Sequence, residues 1–222
     1  VRQMCFQVGD SGYDLLLGLR RQRDWAALRP RALAAALDGL RRSYRTVVAE
    51  VDADVEGEST CGSLDVEERN LLARTTLLAA DLVVAVGLPG IGGVHSLLRV
   101  LADVRELGVE PGRIVPLLNR APRNPRARAG LTSSLGALAS SVLDGADLAS
   151  TPLFVPERRR LDEQLRDNAG LPVALGLPLA TAVRAVLERV ESQPASSPAA
   201  GPVAVPPGSL GSWAPHPTEG TG

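Results

Sequence analysis

The sequence predicts an α/β protein built on a mostly parallel, doubly wound sheet with helices on both faces, followed by a disordered tail. Three observations predict it. Short apolar runs of five to seven residues alternate with amphipathic stretches of ten or more, the rhythm of a parallel sheet wound by helices. Each of those runs ends in something polar or flexible, as strands do where ligands meet such sheets. Beyond Ser192 the chain turns to Pro, Gly, Ala and Ser with almost no charge, a composition that cannot bury enough apolar surface to offset its ordering entropy. The division expected is therefore an N-terminal segment over 1–30, an α/β domain over 31–191 and a disordered tail over 192–222.

The elements follow in order. "RALAAALDGLRRSY", Arg31 to Tyr44, sets Leu33, Ala36, Leu37 and Leu40 on one face with arginines opposite, an amphipathic helix. The β-branched run Thr46 to Val51 predicts a buried strand. "DVEERNLLARTTLLA" from Asp65 is helical, with Asp65 and Glu68 in capping-box spacing and acids in its first turn. "DLVVAVG", Asp81 to Gly87, is the next strand, closed by the breaker run "GLPGIGG". Val94 to Leu107 is a helix ended by Gly108, Arg113 to Asn119 a strand, and Arg126 to Leu143 mostly helix. "TPLFVP", Thr151 to Pro156, is a strand; Arg158 to Asp167 starts a short helix, and Thr181 to Glu191 makes the last one.

Composition removes several classes of function. The net charge of −1 provides no electrostatic footprint for nucleic acid or an anionic membrane. The longest uncharged apolar stretch, Leu82 to Val94, is too short to span a bilayer. Cys5 and Cys61 make no metal or redox spacing, which points to a reducing cytoplasm. His95 has no partner in a triad or zinc spacing. All 24 basic residues are arginine, so no step that needs a lysine ammonium can come from these residues, the usual phosphate-binding loop included. "GLPGIGG" has neither phosphate-loop nor dinucleotide spacing and reads as a flexible connection. The arginines of "RAPRNPRARA", Arg120 to Ala129, could meet phosphate or a partner's acids, or form a solvated basic face.

The pattern most in need of a cause is "TVVAEVDADVEGE", where Glu50, Asp52, Asp54, Glu56 and Glu58 crowd the end of the apolar run. Carboxylates that close repel, so water solvates them or a cation uses them.

The segments "SYRTVVAEVDAD", "AADLVVAVGLPGIGGVHSLLRVLADVRELGV", "RIVPLLNRAP" and "TPLFVPERRRLDEQLRD", in that order between about Leu33 and Arg166, resemble the MinD/ParA group of deviant P-loop ATPases. They look most like the Flp-pilus CpaE/TadZ branch and its actinobacterial relatives. The resemblance implies a P-loop NTPase-like fold and an ATP-binding switch serving partitioning, localisation, or pilus and secretion assembly. It implies ATP and Mg²⁺ as cofactors, Asn119 as the adenine-edge contact with Arg120 beside it, and Pro156 and Glu157 in the loop closing over the base. Glu50 or Asp52, with Asp54 following, takes the place of the aspartate that reaches the metal-bound nucleotide through water. A homodimer or protein partner is implied, with peripheral membrane association possible and no specific nucleic acid.

The resemblance also has a gap. Nothing before Arg31 looks like the family's first strand and lysine-bearing loop, so the chain reads as a piece of a longer ATPase or a degenerate relative. In the family order that strand lies between the equivalents of Asp81–Gly87 and Arg113–Asn119, whose edges then pair directly or stay exposed. The alternative function is a non-hydrolysing scaffold of the same fold that acts through dimer or partner contacts.

Overall fold

The computed structural model describes residues 2–9, 12–142, 151–158, 161–166 and 172–192. A small antiparallel pair, β1 (Phe6–Gln7) and β2 (Asp14–Leu15), precedes the first α-helix, and its exposed residues carry no pattern that predicts pairing. Tyr44 ties it to the next element by donating its hydroxyl to Asp14 at 2.7 Å. Helix α1 (Pro30–Ser43) forms where its periodicity places it, with Pro30 in the first turn, where no donor is lost, and Arg41 and Arg42 in the last.

Thr46 to Val51 does not form a strand. Val47 is 44% and Val48 92% exposed, and none of the described strands pairs with the β-branched run. β-Propensity measures fit to a sheet surface, and a run with the right residues is not a strand until one pairs with it. The segment is anchored further on, by Val51 at the margin of the core and Val55 at 3% exposure.

After a single turn, α2 (Glu58–Cys61), the expected helix from Asp65 divides at Asn70 into α3 (Leu64–Arg69) and α4 (Leu71–Ala79). The capping box expected at Asp65 is not formed. Ser63 holds the cap position without a side-chain bond, and Glu67 instead accepts the Glu58 N–H at 2.9 Å.

Three strands make the main sheet: β3 (Val83–Gly87), β4 (Ile114–Ala121) and β5 (Leu153–Pro156), in the order β3-β4-β5 and parallel throughout. β3 and β4 pair directly from Val83↔Ile114 to Gly87↔Leu118. Helix α5 (Ile91–Glu106) joins them, and because both strands run the same way it must run back against them. Its 16 residues cover roughly 24 Å at about 1.5 Å per residue. Gly108, at φ +104°, ends it as expected.

Strand alternation sorts the core. Val83, Ala85, Ile114 and Leu118 pack with Leu97, Leu98 and Leu101 of α5 and with Leu135 and Ala139 of α6 (Pro125–Val142). On the opposite face Val115 and Leu153 line an open groove with Ala182, Ala185 and Val186 of α8 (Val173–Ser192). Leu97 and Leu98 are at most 1% exposed, and burying each contributes about 1.5–3 kcal/mol. The last helix starts at Val173, earlier than expected, and carries Pro178 within it; α7 is Leu161–Arg166. Residues 193–222, where the tail was expected, lie outside the described residues.

Candidate site at the carboxyl ends of β4 and β5

β4 runs past its expected end at Asn119 to Ala121. Over that extension β4 advances from Leu118 to Ala121 while β5 advances only from Phe154 to Pro156, three residues against two. The surplus residue makes a bulge, a device that turns side chains at strand ends. Arg120 takes up the strain with φ +54°, the sole non-glycine residue at positive φ among those described. Strain of this kind costs on the order of 1–3 kcal/mol and gathers at functional sites.

The bulge brings together the four residues expected around a base. The Glu157 N–H donates to the Ala121 carbonyl at 3.3 Å, which sets Pro156–Glu157 beside the Asn119–Arg120 turn. Asn119 is half-buried, and its Oδ1 accepts the Arg120 N–H at 2.8 Å. The amide O/N assignment is thereby fixed, and the Nδ2 group carries the donor capacity a base edge would need.

Arg123 and Arg128 of the Arg120–Ala129 cluster complete the rim, with Asn124 and Arg158, which sequence reasoning passed over. Arg123 donates to the Glu157 carbonyl at 3.4 Å. Arg128 donates to the Pro122 carbonyl at 2.7 Å and lies over the Phe154 ring at 5.5 Å. Asn124 accepts the Arg126 N–H at 2.9 Å and so caps α6 ahead of Pro125. The Nε of Arg158 is buried with no hydrogen-bond partner among the described residues, an uncommon state for a buried donor. The Asn-Pro pair of "RNPRAR" was the one signal that could have located the cap.

The acidic residues lie elsewhere. Thr60 donates to Glu106 at 3.4 Å, which places α2 against the last turn of α5. The last turn of α5 precedes β4, so Asp54–Thr60 sits towards the amino ends of the strands, away from Asn119 and Glu157. Within the loop the carboxylates are used by the chain itself. Asp52 Oδ1 accepts the Asp54 N–H at 3.0 Å, and Asp54 Oδ1 accepts the Glu56 N–H at 3.2 Å, two successive turns of the kind aspartate favours. Asp54 also accepts from Asn70 Nδ2 at 2.9 Å and pairs with Arg69 at 2.6 Å. Asn70, buried at 6% exposure, bridges on to the Glu56 carbonyl at 3.0 Å, and Arg74 reaches the Val55 carbonyl at 2.7 Å. Glu50 is exposed on the extended run.

Among the described residues no three of His, Cys, Asp or Glu gather as a metal site. Both oxygens of Asp54 already have protein donors. The loop's charge is still felt. The carboxyl of Asp103 on α5 is raised above the ordinary aspartate range by desolvation, opposed by Arg99 and reinforced by Glu56, Glu106 and Asp54.

The second half of the glycine run belongs to helix α5 and not to the connection before it. Gly90 caps α5 at φ +102°, and a Cβ on Gly93 would stand 2.2 Å from the Leu88 carbonyl oxygen. Ile91, Gly92 and Gly93 are the first residues of α5.

No family model matches this chain, and neither the curated proteins nor the solved structures contain a match. No helix among the described residues is long and apolar enough to cross a membrane.

Proposed function

We propose that this chain is a MinD/ParA-like nucleotide-binding module that takes the base end of an adenine nucleotide at the carboxyl ends of β4 and β5. One observation carries the reading. The strained Asn119–Arg120 bulge is joined to Pro156–Glu157 through the Glu157 N–H to Ala121 bond. Asn119 offers its Nδ2 hydrogens to the acceptor nitrogens of adenine, Arg120 presents a cation outside the strand end, and Pro156–Glu157 flank the base. The position, outside the carboxyl ends of parallel strands, is where ligands enter sheets of this type. In this reading the sheet belongs to a doubly wound, P-loop NTPase-like fold. The protein works in the cytoplasm as a switch in partitioning, localisation or pilus assembly, through a homodimer or protein partner.

These 222 residues contain no lysine. ATP with Mg²⁺ is therefore held fully only when a lysine-bearing loop from outside them meets the phosphates; alone, the module binds the base weakly and hydrolyses nothing. The experiment is titration of adenosine, AMP and ATP into the protein and its Asn119→Ala form. Similar affinity for the three ligands, lost on substitution, supports base-end recognition. Affinity that climbs with phosphate number and ignores Asn119 refutes it.

A second reading, the non-hydrolysing scaffold, is favoured by the direct pairing of β3 with β4. That pairing fills the gap in which the family order sets its phosphate-loop strand, so the scaffold reading predicts no nucleotide affinity at all.

A further inference from the structure

The charges of this nearly neutral chain are segregated. Thr46 to Glu68 holds eight carboxylates and no arginine, whereas Pro111 to Val142 holds five arginines and no carboxylate. The fold carries Arg120, Arg123 and Arg126 to the carboxyl end of the sheet and the Asp54–Thr60 loop towards the amino end, where Arg113, just ahead of β4, also lies. At the carboxyl end Arg120, Arg123 and Arg126 are exposed, and none of them has a carboxylate within ion-pair distance among the described residues. At the amino end Glu56, Glu58, Glu106 and Glu110 are exposed, and Asp103, whose carboxyl is raised first by desolvation, also feels Glu56 and Glu106. Arg69 and Arg74 pair with Asp54 and Glu67 there and Arg99 opposes Asp103, while none of the four exposed glutamates has an ion pair among the described residues.

Asp103 stands twelve residues beyond Ile91 on α5, so the two ends are roughly 18 Å apart along the helix. Charges that far apart are screened from each other at physiological ionic strength, where the Debye length is about 8 Å. One end of a molecule cannot neutralise the other end of the same molecule. A second copy can.

We propose that the arginine end of one copy docks on the glutamate end of the next, a head-to-tail contact between copies of this chain. Such a contact is heterologous: it uses different patches on the two partners, so it extends into short chains unless the rotation between copies closes a ring. Opposite patches would set the register and accelerate encounter. The inference does not depend on nucleotide binding, since Arg126 and the glutamates lie outside the base-end residues and Arg123 touches them only through the Glu157 carbonyl.

Sedimentation velocity over a concentration series tests it. In about 50 mM salt the weight-average sedimentation coefficient should rise with concentration, and in about 500 mM salt it should stay at the monomer value, because screening then acts within a few ångströms. Arg123→Glu with Arg126→Glu should abolish the rise, and so should Glu56→Arg with Glu110→Arg, each variant keeping the far-ultraviolet circular dichroism of the parent. Mixed, the two variants present complementary patches and should associate again. A monomer at every concentration in low salt would overturn the proposal. So would association indifferent to both double variants, or an arginine end that binds a DNA or RNA oligonucleotide while the protein alone stays monomeric.

Discussion

Replacing Asn70 by alanine removes the side chain on which the acidic loop is fastened. Asn70 is 6% exposed, donates to Asp54 Oδ1 at 2.9 Å and to the Glu56 carbonyl at 3.0 Å, and accepts from Arg69 Nε at 3.3 Å. A hydrogen bond to a charged group contributes about 1.5–3 kcal/mol and a neutral one about 1 kcal/mol. Arg69 still holds Asp54 and water reaches the exposed Glu56, so the net loss should be about 2–4 kcal/mol. Urea unfolding followed by circular dichroism should then show a lower midpoint at unchanged slope. Asn70→Asp should cost more, since it sets a second carboxylate against Asp54. A change below about 0.5 kcal/mol, the range of an inert surface substitution, would refute the claim that Asn70 joins the loop to α3 and α4.

Other consequences follow from the same geometry. Gly93→Ala should destabilise by about 1–3 kcal/mol, the cost of overpacking, because its Cβ would meet the Leu88 backbone at 2.2 Å; a neutral result in thermal unfolding would contradict the close turn. Val48→Lys should change stability by less than about 0.5 kcal/mol, while Val55→Ala should cost roughly 1.5–3 kcal/mol, the reverse of what a buried Thr46–Val51 strand requires. Asp103 binds its proton more tightly in the folded chain than in the unfolded one. Its ionisation therefore subtracts stability as pH rises from the ordinary aspartate range through the raised folded value. Asp103→Asn should accordingly stabilise the protein at neutral pH, by less than about 1 kcal/mol at this half-exposed position, and the gain should vanish at low pH where both forms are neutral. A gain that persists in acid would show that another cause dominates.

The elements legible in the sequence were those whose stability is local. Leu33, Ala36, Leu37 and Leu40 announce α1 by spacing, and Val83 to Val86 announce β3 by β-branching and the glycine that follows. Parallel order was legible because helices of ten or more residues separate the strands. Thr46–Val51 was misread because a strand needs a lateral neighbour, and nothing in "TVVAEV" states whether one is supplied. Asn70 was passed over because it divides a run of good helix formers, and its worth lies in bonds to Asp54 and Glu56, sixteen and fourteen residues upstream. At the candidate site Asn119 and Glu157 were legible as polar residues at strand ends. The bulge that joins them was not, since only the mismatch of β4 against β5 creates it. The acids drew attention because sequence shows their crowding and not their partners; Arg69, Asn70 and the loop's own N–H groups engage Asp52 and Asp54.

The central claim is that the β4–β5 end recognises the base of an adenine nucleotide. Its most direct test is an amide-resolved nuclear magnetic resonance titration of the protein with adenosine and ATP. The account predicts saturable shifts centred on Asn119, Arg120, Ala121 and Glu157, with Asn119→Ala weakening binding by about 5–150-fold, equivalent to the ~1–3 kcal/mol of a bidentate base contact. Resonances of Asp54 to Glu58 should stay unmoved by adenosine. Shifts that avoid the β4–β5 end, or no shift there at millimolar nucleotide with the fold intact, would contradict it.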